Sequence, residues 1–98
     1  MYSMDHLVTL LTTEKARELR FRAGKPPVMG LDDEERPLQG PPITGEEVTF
    51  LLRSVANSRQ MRELLQRGQV HFVFTIRGRM PVLVRAHMNN ENVAFDIS

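Results

Sequence analysis

The hydrophobic period changes along this chain, and each change marks an element. Met4, Leu7, Val8 and Leu11 recur at i, i+3, i+4 and i+7, which is one apolar helical face. A helix is therefore expected from about Ser3 to Lys15, with Ser3 as its N-cap. From Glu18 the period drops to two: Leu19, Phe21 and Ala23 point one way, and Glu18, Arg20 and Arg22 the other. That alternation predicts a half-buried strand. Gly24-Lys-Pro-Pro27 turns the chain, because proline cannot continue a central ladder. Val28 to Leu31 reads as a short strand, Asp32 to Glu35 as a solvated turn, and Arg36 to Gln39 as the return strand.

A second proline corner, Gly40-Pro-Pro42, leads to Thr44-x-x-Glu47. There the threonine hydroxyl and the glutamate carboxylate each satisfy an orphan N–H, forming a capping box. Val48, Leu51, Leu52 and Val55 make the helical stripe behind it. Asn57 or Ser58 is expected to cap a further short helix with Met61, Leu64 and Leu65 inside, ended by a left-handed Gly68. The last third is β in character. Val70, Phe72, Phe74 and Ile76 alternate, Arg77-Gly78 turns, and Val82 to Ala86 forms the next strand. Asn89-Asn-Glu91 turns again before a final strand with Val93, Phe95 and Ile97 inside. Pro81 in the penultimate strand suggests an edge or a bulge, where a partner strand adds or is blocked. The order α-β-β-β-α-α-β-β-β with short hairpins predicts an α+β fold. Its antiparallel sheet has about five to six strands, with two to three helices packed on one face.

Composition narrows the function classes. A chain of 98 residues is one domain. Thirteen basic residues against twelve acidic ones give no bulk attraction to nucleic acid. Stacking aromatics are scarce as well: Tyr2 stands alone, and the phenylalanines fall in core phase. All but two of the cations are arginine, a residue suited to planar contacts with carboxylates. Without cysteine, disulfides and thiolate zinc sites are excluded. Met1 to Leu11 lacks the basic and then apolar pattern of a signal peptide. No apolar run reaches the roughly 20 residues of a membrane span. A soluble cytoplasmic protein without membrane insertion is the expectation.

No catalytic constellation emerges. Gly24-Lys25 does not make a phosphate loop, since Pro26 and Pro27 remove the N–H donors such a loop needs. His6, His71 and His87 lie on separate elements with no metal-ligand spacing. The acidic run Asp32 to Glu35 sits at a hairpin tip rather than in a cleft, and no serine has a histidine partner at a motif spacing. No cofactor and no metal are expected. What remains is a set of cations. Arg20, Arg22 and Lys25 come from one strand face and its turn, and Arg77, Arg79 and Arg85 from the C-terminal hairpin. If the two strands lie close in the sheet, these six form a basic ridge. Such a ridge is either a solvated face or a docking surface for an acidic partner or a neighbouring subunit.

Several segments, taken in order, resemble the small N-terminal domain of the type IV pilus retraction ATPases, the twitching-motility members of the type II/IV secretion ATPase family. The family's first strand reads Ala-Ser-Asp-Leu-His-Leu and runs on to Gly-x-Pro-Pro. Here those segments are Ala16-Arg-Glu-Leu-Arg-Phe21 and Ala23-Gly-Lys-Pro-Pro27. The return strand Pro37-Leu-Gln-Gly-Pro-Pro-Ile-Thr44, the helix start Glu46-Glu-Val48, and Gly68 with Phe72 follow in the family's order. The resemblance runs from Ala16 to the end of the sequence. It implies a PAS-like domain which, in the family, packs against the motor domain of the next subunit in a hexamer.

Three departures stand out. Arg17-Glu-Leu-Arg20 replaces the family's Ser-Asp-Leu-His. Arg79-Met-Pro-Val-Leu83 keeps the first arginine of the family's Arg-Phe-Arg-Val-Asn, but has Pro81 and Leu83 where the second arginine and the asparagine stand. The terminal Phe95-Asp-Ile-Ser98 lacks the arginine that approaches nucleotide in the family. No Gly-x-x-x-x-Gly-Lys-[Ser/Thr] motif occurs in the 98 residues. The expectation is a non-catalytic interaction module, not an enzyme. Its partner is a protein, either a pilus or secretion ATPase subunit or a second copy of itself, so a homo-oligomer is one outcome. The alternatives are the N-terminal portion of a full-length retraction ATPase, and a small-molecule or nucleotide sensor.

Overall fold

In the computed structural model, which describes residues 2–76 and 80–98, three helices cover one face of a single sheet. The elements run α1 (Met4–Thr13), β1 (Glu18–Phe21), β2 (Val28–Gly30), β3 (Glu35–Pro37), α2 (Gly45–Arg53), α3 (Ser58–Arg67), β4 (Gln69–Ile76), β5 (Met80–Asn89) and β6 (Asn92–Ile97). The sheet order is β3-β2-β1-β6-β5-β4, and every pairing is antiparallel. One meander runs outward from the centre to the β3 edge and the other inward from the β4 edge, and they meet along a central β1–β6 seam, where Leu19 pairs with Ile97 and Phe21 with Phe95. This is the expected α+β architecture, at the upper end of the expected strand and helix counts.

Period two explains the core. Leu19 and Phe21 of β1, Val82, Val84 and Ala86 of β5, and Val93, Phe95 and Ile97 of β6 are all buried on the helix side. Leu7 and Val8 of α1, Val48, Leu51 and Leu52 of α2, and Leu64 of α3 join them in one cluster. At its centre the Phe21 and Phe95 rings stack with centroids 4.5 Å apart. The expected capping box forms, with the Thr44 hydroxyl accepting from the Glu47 N–H, and a second one stands at α3, where the Asn57 side chain accepts from the Gln60 N–H. Asn57, not Ser58, is the cap of α3, and Gly68 closes that helix at φ 81°. Ser3 occupies the N-cap position of α1 but makes no side-chain cap bond. That helix stops two residues short of Lys15, because Lys15 itself turns left-handed at φ 53°.

The two proline corners are sewn to each other. Prolines supply no N–H, so the bonds come from their neighbours: Gly24 N–H to the Ile43 carbonyl (2.8 Å), Ile43 N–H to Lys25 (3.0 Å), and Leu38 N–H to Pro27 (2.8 Å). Ile43, fully buried, plugs the gap between the corners. The Tyr2 hydroxyl donates to the Pro41 carbonyl at 2.8 Å and ties the start of the chain to the same place.

Three expectations need correction. Pro81 makes no bulge, since it sits in the unbroken β4–β5 register opposite Thr75, but its other flank is a local edge, because β6 meets β5 only from Leu83 onward among the described residues. Leu83 exchanges backbone bonds with Ser98, so odd-numbered residues of β5 aim their N–H toward β6. The donor that Pro81 lacks therefore points away from β4, and that ladder loses nothing. Leu65, expected inside α3, is 68% exposed while Leu64 is fully buried. The phenylalanines do not all take core positions either, because Phe50 is 58% exposed. No helix among the described residues is long and apolar enough to cross a membrane.

Candidate interaction surface

The helices leave the other side of the sheet open, and the charged residues of β1, β5 and β6 project there. Cross-strand register puts Arg20, Asp96 and Arg85 in one row over the three central strands, with His71 of β4 next in line. Opposite charges in adjacent strands attract, so the row alternates in sign where it crosses the seam. Arg20 contacts Glu18 at 2.6 Å and also pairs with Glu35 from the edge strand β3. The hydrogen bonds that Arg20 donates to these two carboxylates, Glu18 first, push its guanidinium pKa up, outweighing the opposing effect of desolvation. Glu18 also reaches Arg85, more loosely, at 3.7 Å.

Arg22 ties the seam from outside. It donates to the carbonyls of Phe21 and Phe95, and its guanidinium stands 2.9 Å from Asp96 Oδ1. That oxygen is shut off from solvent and makes no hydrogen bond of acceptable geometry. It is held by charge rather than by a directed bond. Asp96→Asn keeps the shape and removes the charge. It is expected to cost about 1 kcal/mol at low ionic strength, and the difference should shrink in strong salt. Urea unfolding at two salt concentrations measures this, and equal midpoints in low salt would show that the pair contributes nothing.

The structure thus brings Arg20, Arg22 and Arg85 onto one face together with Glu18, Glu35 and Asp96: Arg20 holds Glu18 and Glu35, Arg22 holds Asp96, and Arg85 shares Glu18. Lys25 sits apart, exposed at the first proline corner. Arg77 and Arg79 fall outside the described residues. The face is a charge-alternating ladder rather than a purely basic ridge. The acidic partners were visible in the sequence as residues, but their positions opposite the arginines depend on strand order.

A second surface lies on the helix side and was not anticipated. Exposed Phe50 borders a shallow depression with Arg53 and Glu91, and exposed Leu65 borders another with Met61 and Arg62. Phe50 and Leu65 each adjoin a buried leucine in sequence, so apolar character alone could not separate them. The available signal was phase, since each lies roughly 100° around its helix from its buried neighbour. No group of three metal-ligating side chains converges among the described residues, and none of those residues is both buried and polar.

No known family's model matches the sequence, and no curated protein matches it. Solved structures do. The pilus retraction motor PilT, determined with bound ADP, aligns with 99% of this chain at a TM-score of 0.85 and 23% identity. The ATPase DotB of Legionella pneumophila aligns with 96% at 0.75 and 16% identity. The chain spans only 28% and 26% of those proteins' lengths. Identities this low speak for architecture alone. That architecture is the one the sequence motifs pointed to: the chain has the fold of the N-terminal domain of the type II/IV secretion ATPases.

Proposed function

We propose that this domain is a non-catalytic protein-interaction module that docks onto a pilus or secretion ATPase subunit, using the open face of its sheet. What supports the reading is a domain matched over nearly its whole length to a quarter of an ATPase motor, together with a solvent-facing arginine ladder. In that reading Arg20 and Arg22 are fixed by their carboxylates and frame the surface. Arg85, with a 47% exposed side chain and a partner 3.7 Å away, is free to exchange Glu18 for a partner's carboxylate. Lys25 stands exposed at the first proline corner, apart from this row.

The test is titration of the purified domain against the pilus-retraction ATPase of the same cells, with ATP turnover followed in parallel. Binding with altered turnover is expected. Arg85→Glu should weaken binding by roughly tenfold, the effect of losing one well-placed interfacial arginine. If the domain neither binds nor changes turnover, the proposal fails.

A second reading is favoured by the same partial coverage: the 98 residues are the front domain of a longer retraction ATPase, whose activity would be ATP-driven pilus disassembly. Immunoblotting of the source cells separates the two. A band near 11.3 kDa fits a free module, and one several times heavier fits a motor.

A further inference from the structure

The two edges of the sheet are unlike. β3 is three exposed residues, Glu35, Arg36 and Pro37, so it carries both charge and a proline, the ordinary devices that stop an edge from pairing. β4 has none of them. Its eight residues, Gln69–Ile76, contain no Asp, Glu, Lys, Arg or Pro, and it pairs residue for residue with β5 without a bulge.

Backbone parity fixes what β4 presents. Even-numbered residues of β5 face β4, as the Met88 N–H to Gly68 carbonyl bond also shows. Val70, Phe72 and Phe74 therefore bond inward. His71, Val73 and Thr75 point their N–H and C=O groups outward, where no backbone bond is made among the described residues. All three side chains are exposed on the open face, Val73 at 65%, beside a half-exposed Leu83.

From this contrast we infer that β4 is a dimerisation edge, paired antiparallel with β4 of a second copy of this chain. A two-fold axis through Phe72 sets His71 opposite the partner copy's Val73 and Gln69 opposite its Thr75. Every outward N–H and C=O between them is then satisfied. Neither pair sets two charged side chains against each other. They cover the exposed valines, and the two Phe72 side chains meet at the axis. The blunted β3 edge makes the assembly stop at two, since a strand-to-strand filament would need both edges. This inference stands independently of ATPase docking, which uses the face of the sheet rather than its rim.

Sedimentation velocity over a range reaching millimolar concentration should show the mass doubling from 11.3 kDa. Val73→Pro removes only an outward donor and should give a folded monomer by circular dichroism. Val73→Lys should give the same by charge, and it decides the matter if the proline variant does not fold. A nitroxide on Thr75→Cys should report a separation of about 20 Å across the axis, six residues of antiparallel offset at strand rise. A chain that stays monomeric throughout overturns the inference. So does a dimer that survives both Val73 variants, which would move the contact to the Phe50–Leu65 side, or a label separation far from that value. Pairing of β4 with an unrelated strand in place of its own copy would also overturn it.

Discussion

Replacing Phe95 with alanine is expected to lower stability by about 3–5 kcal/mol, the usual cost of emptying an aromatic site in a core. Phe95 sits on the central strand with no solvent exposure and stacks on an equally buried Phe21 across the β1–β6 seam. Strands on both sides hold its backbone, so the sheet cannot close around the vacancy. The helix side is lined by Val48, Leu51 and Leu52, which are fully or almost fully buried themselves. A domain of this size has about 5–15 kcal/mol in total, so the variant should lose a large share of its stability. Phe95→Leu keeps most of the volume and should cost much less. Urea unfolding followed by circular dichroism measures both. If Phe95→Ala shifts the midpoint no more than Phe95→Leu does, the ring stack is not the keystone described above.

Gly40→Ala should be the next most damaging change considered, at about 1–3 kcal/mol, the range for forcing a side chain into a sparsely allowed backbone state. Gly40 has φ 138°, a value open to glycine and hardly to any L residue. The site is crowded as well. A Cβ there would stand 2.8 Å from the Tyr2 hydroxyl oxygen, which itself bonds to the Pro41 carbonyl. The methyl group must therefore displace the tyrosine as well as strain the corner. Tyr2→Phe removes the hydroxyl and relieves the clash but not the backbone strain. Adding it to Gly40→Ala should recover only part of the loss. Full recovery would place the whole cost on the contact and none on the backbone.

Most local features were legible in the sequence, the Ser3 cap and the end of α1 excepted. The capping box at Thr44, a cap at Asn57 or its neighbour, the left-handed Gly68, the β4 alternation and the two proline corners all depend on residues a few positions apart, and all are present. The arginines' partners were hidden because Arg22 meets Asp96 only once β1 lies beside β6. Pro81 was half legible for a related reason: its missing N–H faces the flank that β6 does not reach, and a single strand does not reveal which flank that is. Leu65 and Phe50 show the limit of apolar spacing on short helices, where two or three turns leave the width of the buried stripe undetermined.

The seam also governs the order in which the fold can assemble. Each meander, β1 to β3 and β4 to β6, is built from near neighbours in sequence and closes small loops. The contacts that unite them, Leu19 with Ile97 and Phe21 with Phe95, join opposite ends of the chain and close a loop around everything between. Such contacts bear the largest closure entropy and slow folding. On the ribosome, β1 must wait with one flank bare until β6 has emerged. For that interval the apolar side chains Leu19 and Phe21 are the nascent chain's exposed liability, shielded first by α1 alone and then, as they emerge ahead of β6, by α2 and α3 as well.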